Sequence, residues 1–230
     1  MENKIILSLL SRLTNFKKQS YKSVIIHQNN PGTISKYIDT QDYNAIENLS
    51  ISGLIDTRDL DFIKNMKNLK RIDLSKSKIT AYVEYEVDVL PRDAFYGCKK
   101  IEEILLPESL VYISSLAFFK CRSLKHITIP ARVKSIGYLA FHLCRNLQEI
   151  KLPDQLNYIG FLGFSGCKNL SSIEMSSSKL LELEHDTCVF YQVPVKTCLL
   201  KVGMGLKDNF SNAHQWGQFS NIQEFGLKAN

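Results

Sequence analysis

Features that would point to a membrane or nucleic-acid function are missing from these 230 residues. A membrane-spanning helix needs roughly 20 apolar residues, whereas the longest clear apolar run extends only from Ile5 to Leu10. Basic residues outnumber acidic ones by 29 to 23. No five like charges follow one another, however, which argues against a clustered basic face for nucleic acid or anionic lipid. The sequence predicts a folded protein with no membrane span and no nucleic-acid partner.

Motifs of the common enzyme classes are also missing. The chain has no G-x-S-x-G, no P-loop, no G-x-G-x-x-G and no H-E-x-x-H, so neither an activated nucleophile nor a phosphate-binding loop is indicated. One alternative stays open, because a glycan hydrolase needs two carboxylates about 5 to 10 Å apart. Glu103 and Glu149 meet that spacing if they lie two strands apart. We otherwise predict a protein without catalysis and without a cofactor.

An export signal is not evident in residues 1–23. One early lysine precedes a short apolar run, but Arg12 interrupts the run and no small-residue cleavage site follows. The favoured interpretation is a helical extension with one apolar face. That face carries Ile6, Leu9, Leu10 and Leu13.

In place of such motifs the chain has a repeat of 23 residues, and repeats of this length indicate a solenoid. Weaker copies upstream begin at Ile46 and Leu69. The strong copies share columns of phenylalanine, cysteine, proline and aliphatic residues. The columns are Phe95, Phe118, Phe141 and Phe164; Cys98, Cys121, Cys144 and Cys167; Pro107, Pro130 and Pro153; Ile113, Ile136 and Ile159; and aliphatic series starting at Ile101, Ile104 and Leu106.

Each unit contains L-x-x-I-x-[LIM], the pattern of a short strand with one buried face. Stacked in parallel about 4.8 Å apart, such strands bury each column against its copies. Proline ends the strand because it has no N–H to donate. In the returning segment Ile113 points inward and Ala117 and Phe118 occupy a short turn of helix that Cys121 ends. The predicted fold is α/β, a right-handed solenoid with a curved parallel β-sheet.

The chain departs from the period in two places. The gap between Leu69 and Ile101 is 32, so this repeat carries nine extra residues. Apolar and polar residues alternate there, which predicts a protruding hairpin or an added edge strand around residues 79–90. Further on, Ser176 stands where the column requires proline, so we expect an irregular last coil.

L-x-x-[LI]-x-[LI]-P followed by I-x-x-[IG]-x-A-F-x-x-C resembles the BspA-type leucine-rich repeat of bacterial surface and secreted proteins. The resemblance covers residues 46–190. It implies a cap at each end, namely residues 24–45 with a helix from Thr33, and residues 191–230 with a strand, a helix and an apolar end. It also implies an extracellular or cell-surface location and a protein or glycan ligand of unknown identity.

The six cysteines are better explained as core residues than as disulfide partners or metal ligands. Column cysteines one repeat apart would hold their Cβ atoms nearly 5 Å apart, beyond the roughly 3.5 to 4.5 Å of a disulfide, so we predict small buried hydrophobes. Cys188 and Cys198 lie outside the column, and a disulfide between them stays an alternative. His185 with these two cysteines gives only three unevenly spaced metal ligands, and we predict no metal site.

The main candidate binding face consists of the side chains that flank the second strand anchor and point away from the core. Solenoids offer extended concave surfaces of this kind, although ordinary solvated polarity is an equal alternative. We call these residues the concave strip. They are Arg71, Asp73, Glu103, Leu105, His126, Thr128, Glu149, Lys151, Ser172 and Glu174.

The insertion is a second candidate site, since loops on rigid scaffolds often carry function. An edge strand whose charged residues prevent it from pairing with another chain would explain the insertion equally well. Its candidate residues are Tyr82, Glu84, Tyr85, Glu86 and Asp88. A structural or oligomerisation role, in which the insertion pairs chains into a homodimer, is the alternative to ligand binding.

Overall fold

A computed structural model describes residues 4–6, 23–40, 43–83 and 85–226. Its strands in chain order are β1 (Lys4–Ile6), β2 (Ser23–Gln28), β3 (Asn48–Ile55), β4 (Arg71–Ile79), β5 (Val89–Leu90), β6 (Glu103–Leu105), β7 (Tyr112–Ile113), β8 (His126–Thr128), β9 (Ser135–Ile136), β10 (Glu149–Leu152), β11 (Tyr158–Ile159), β12 (Ser172–Met175), β13 (Leu199–Gly203) and β14 (Asn221–Phe225). The α-helices are α1 (Thr57–Lys64) and α2 (Lys207–Asn212), and single 3₁₀ turns occupy Ile34–Lys36, Tyr43–Ala45, His185–Thr187 and Trp216–Gln218.

Ten of these strands form one parallel sheet in the order β1-β2-β3-β4-β6-β8-β10-β12-β13-β14. Four two-residue strands, β5, β7, β9 and β11, form a second parallel sheet on the return path. Equivalent residues pair across repeats, as Ile104 does with Ile127, and Ile127 with Ile150. The predicted solenoid with a parallel sheet and 23-residue repeats is therefore confirmed.

The core is a set of stacked side-chain columns. The rings of Phe95, Phe118, Phe141 and Phe164 follow one another with centroids 5.5, 5.0 and 5.1 Å apart and nearly parallel planes. Phe190 continues the stack at 6.3 Å. Its distance along the chain from Phe164 is 26 residues rather than 23, so the coil around Ser176 is longer than the regular ones and is irregular as expected from its missing proline.

The predicted turn of helix in each repeat is wrong. Residues 115–120 form successive turns, because two positions in each repeat have left-handed backbone, such as Leu116 at φ 63° and Lys120 at φ 60°. A right-handed helix excludes such residues. Alternate N–H groups then donate to the next repeat, as from Phe118 to the Ala140 carbonyl at 2.8 Å. Neighbouring turns are therefore linked by hydrogen bonds in the same way as neighbouring strands.

The nine extra residues near residue 80 form a small hairpin. β4 extends to Ile79. Beyond it, Tyr82 and Tyr85 form an antiparallel bridge, and the Asp88 N–H donates to the Ile79 carbonyl at 2.9 Å. Leu90 pairs with Ile113 in the second sheet. It therefore belongs to the regular isoleucine column, and the inserted segment ends before Val89.

The N-terminal region contains a strand that the sequence did not reveal. β2 lies beside β3 in parallel, with Val24 opposite Leu49 and Ile26 opposite Ile51, so residues 24–45 carry an additional coil of the sheet. The helix predicted from Thr33 is a single 3₁₀ turn that buries Ile34. The segment Lys4–Ile6, which was predicted to belong to a helical extension, is instead a strand that pairs with β2. Residues 1–3 and 7–22 of that extension lie outside the described part of the chain.

The C-terminal region closes the other end of the core. β13 and β14 extend the sheet, α2 buries Phe210, and Trp216, Phe219 and Ile222 are buried against Phe190 and its neighbours. The indole N–H of Trp216 donates to the Leu181 carbonyl at 2.8 Å. This bond ties the end of the chain to the irregular coil.

Thiol labelling tests the cysteine column. Cys121, Cys144 and Cys167 are buried, and each thiol donates to a backbone carbonyl of the preceding repeat at 3.0 to 3.3 Å. Burial raises the pKa of the Cys121 and Cys144 thiols well above the usual value, so little reactive thiolate forms. We expect a maleimide to modify exposed Cys188 in the native protein and to reach Cys121 and Cys144 only after unfolding, as measured by peptide mass spectrometry. Rapid labelling of both in the native state would contradict this packing.

Candidate binding surface

All ten residues of the concave strip lie on the outer face of the ten-stranded sheet. Each is exposed or half-buried, while the residues between them are buried. The sheet register joins them into two rows across adjacent strands. The first row is Arg71, Glu103, His126, Glu149 and Ser172, and the second is Asp73, Leu105, Thr128, Lys151 and Glu174.

Charges on the strip are partly compensated by neighbours. Lys151 forms an ion pair with Glu174 at 2.8 Å. Arg71 donates from Nε to Asn48 Oδ1 at 2.8 Å, and Asp73 accepts bonds from the backbone and the hydroxyl of Ser75. In the first row His126 stands between Glu103 and Glu149 on the two adjacent strands. This row presents carboxylates separated by an imidazole, on a backbone that the parallel ladder holds in place.

Cross-repeat ion pairs border the strip on the side where the strands begin. Lys70 contacts Glu47 at 3.1 Å, and Lys125 contacts Glu102 at 2.8 Å. The hydrogen bond and charge of Lys125 lower the pKa of Glu102. Because each of these four residues already has a partner of opposite charge, this border has less free charge than the strip itself.

On the other side, where the strands end, the strip adjoins a groove of about 760 Å³. Its floor is apolar and includes Leu106, Ile129, Pro130 and Pro153, which are buried. We call this the proline groove. Its remaining lining residues are Ser75, Leu105, Glu108, Thr128, Ala131, Lys151, Asp154, Gln155 and Ser176.

The sequence contains a signal for this groove that our prediction did not use. Ser75 and Ser176 occupy the proline column in the repeats before and after the three proline-bearing ones, and they line the two ends of the groove. The groove therefore follows the part of the column that contains proline. Three residues of the strip, Leu105, Thr128 and Lys151, also line it, so the two surfaces are continuous.

The insertion forms a separate feature of the surface. Tyr82 lies under the Arg58 guanidinium, 4.3 Å from the ring centroid, and Asp88 accepts a 2.6 Å bond from the Ser109 hydroxyl. Tyr85 is half-buried and Glu86 is exposed, while Glu84 lies outside the described residues. Tyr82 is thus in contact with α1 and Asp88 with the neighbouring repeat, and none of the described candidate residues of the insertion lines the proline groove.

Neither a metal cluster nor a disulfide is found within the described residues. Cys188 is exposed and Cys198 is buried, and both are free. No three histidine, cysteine or acidic side chains in this part of the chain are placed to hold a metal ion. No helix in it is long and apolar enough to cross a bilayer.

Comparison with known proteins agrees with the repeat geometry. The family model described as the BspA type leucine-rich repeat region matches residues 88–200 in six copies. Residues 88–200 are BspA-type leucine-rich repeats. The BspA-type repeats thus include the whole proline groove except Ser75, and most of the concave strip. No curated protein sequence matches the chain.

Solved structures of leucine-rich repeat proteins are similar to this chain. A leucine-rich repeat protein from Bacteroides ovatus is 23% identical over 79% of this chain and 41% of its own, with a TM-score of 0.46. The pneumococcal vaccine antigen PcpA is 14% identical over 90% and 72% of the two chains, with a TM-score of 0.49. The match to the leucine-rich repeat protein of T. pallidum covers 78% and 73% at 19% identity, with a TM-score of 0.41. The chain spans less than half of the Bacteroides ovatus protein.

Proposed function

We propose that the protein is a non-catalytic binding module, secreted or on the cell surface, that recognises host or microbial macromolecules through the concave strip. The observation that supports it is the strip itself, ten exposed or half-buried side chains in two rows on a rigid sheet, continuous with an apolar groove. A rigid polar surface beside an apolar one suits recognition, because the polar surface orients a bound ligand and the apolar surface buries the ligand's apolar groups. The resemblance to surface proteins of this repeat type supports an adhesive role.

Charge reversal on the strip tests the proposal. The full chain is screened against matrix proteins and a glycan array at physiological salt, and the variants Arg71→Glu and Lys151→Glu are compared on any ligand found. We expect each variant to weaken binding by about tenfold or more, because Arg71 and Lys151 are the two basic side chains that carry a full charge on the strip, one in each row. The melting temperature should stay nearly unchanged, since both side chains are exposed.

Lys134→Glu is the matched control, since Lys134 is exposed but precedes β9 on the second sheet. Equal loss in all three variants would indicate a general charge effect rather than a site. No ligand in the screen, together with a dimer in solution, would instead support a structural role for the solenoid.

A further inference from the structure

The proline groove has the composition of a ligand site rather than of an ordinary gap between repeats. Its volume of about 760 Å³ lies in the range of small-ligand pockets. The apolar floor lies below a rim of mostly polar side chains. Leu105, also on this rim, is apolar and 37% exposed. An apolar floor with a few polar groups at the edge favours a ligand that buries aliphatic surface and is oriented by its ends.

The length of the groove limits what can occupy it. From Ser75 on β4 to Ser176 after β12 it crosses five neighbouring strands, hence four strand spacings, or about 19 Å. Six residues of fully extended polypeptide span about 20 Å. A segment of about six residues therefore fills the groove from end to end.

The charges along the rim are unequal. Among the described residues that line the groove, Lys151 is the only cation, and it is paired with Glu174 at 2.8 Å. Glu108 and Asp154 line it two repeats apart, about 10 Å, with the small side chain of Ala131 between them. Neither carboxylate has a salt-bridge partner in the part of the chain that the structure describes. Asp154 Oδ1 accepts a 3.1 Å hydrogen bond from the Ser178 backbone N–H, which leaves its second oxygen for a ligand. Within the described part of the chain, the rim thus offers two carboxylates to a ligand and no free cation.

We propose that the proline groove binds an extended peptide segment of about six residues, with aliphatic side chains on the floor and basic side chains beside Glu108 and Asp154. This rests on the proposed binding function and specifies the class of its ligand. A glycan fits less well, because none of the described residues that line the groove is aromatic and could stack against a sugar face. An anionic lipid or peptide would meet the two carboxylates and be repelled.

The test uses fluorescein-labelled, acetylated hexapeptides with lysines at the second and fifth positions, about 10 Å apart in extended chain, and aliphatic residues at the other four, and a matched set with glutamates in place of the lysines. We expect the lysine-containing set to bind the full chain at least about tenfold more tightly by fluorescence polarisation. Asp154→Lys should reduce this binding by about tenfold, and Ala131→Arg should abolish it by filling the space between the carboxylates. Both positions are exposed, and the bond from the Ser178 N–H to Asp154 that the lysine removes is also at the surface, so the melting temperatures should change little.

Asp61→Lys on α1 is the control for the charge change, and it should leave peptide binding unaltered. Equal binding of the two peptide sets, indifference to both groove variants, or loss of a glycan ligand in those variants would each overturn the inference. If the groove variants bind every ligand normally while Arg71→Glu still loses binding, the inference fails and the proposed function stands. If the groove variants lose the peptides while Arg71→Glu and Lys151→Glu keep every ligand, the concave strip is not the binding surface.

Discussion

Replacing Phe118 with alanine is expected to lower the free energy of unfolding by about 3 to 5 kcal/mol, the usual cost of removing a buried aromatic ring. Phe118 is 1% exposed and stacks against Phe95 and Phe141 with centroids 5.5 and 5.0 Å away. Both neighbours are held in their own repeats, so they are poorly placed to collapse into the cavity. Equilibrium unfolding in urea, followed by circular dichroism, measures the loss.

Phe161→Ala provides the matched control, because Phe161 is 44% exposed and its removal leaves no cavity. We expect this variant to change the free energy of unfolding by less than about 1 kcal/mol. A similarly small change for Phe118→Ala would mean that the phenylalanine column repacks, and that the stacked rings do not determine stability.

The second large effect is expected from Asp59→Asn at the start of α1. Asp59 is 1% exposed, and its carboxylate accepts four hydrogen bonds. The donors are the Gln28 amide at 2.9 Å and the backbone N–H groups of Gly32, Ile34 and Asp56 at 2.6, 3.0 and 3.1 Å. Asparagine offers one acceptor oxygen and places an N–H₂ donor against N–H donors. We expect a loss of about 3 kcal/mol or more.

Hydrogen exchange locates this effect. The bonds of Asp59 join α1 to the segment that follows β2, so in Asp59→Asn the amides of Gly32 and Ile34 should exchange faster while that of Phe118 stays protected. Asp61→Asn, on the same helix with a side chain 70% exposed, should leave all of them unchanged. Uniformly faster exchange across the chain would show that Asp59 supports the whole fold and not its N-terminal coil.

The arrangement of the concave strip could be predicted because alternation along a strand fixes which side chains face outward. From Arg71 to Glu174 each predicted residue lies on the outer face, since every repeat in that stretch uses the same strand register. The sequence could not show whether this face binds anything, because exposed polar side chains are also what a solvated sheet requires.

Other features escaped prediction for identifiable reasons. β2 was missed because Val24 lies 25 residues before Leu49, so its copy is out of phase with the 23-residue period. The turns were mistaken for helix because the Phe118 N–H donates to the Ala140 carbonyl in the next repeat. The sequence of the turn itself does not indicate this hydrogen bond. The proline groove depends on side chains from several repeats, although Ser176 marked one of its ends.

The uniform spacing between Pro107 and Pro153 has a consequence for how such a chain can change in evolution. Each proline-bearing repeat contributes one strand and one section of groove floor, and each is joined to its neighbours by the same backbone bonds. Duplication or loss of one 23-residue unit would therefore lengthen or shorten the groove by one strand spacing, about 4.8 Å. The ends at Ser75 and Ser176 would be unaffected. The length of ligand that fits could thus be altered by a single in-frame genetic event, with no change to any individual side chain.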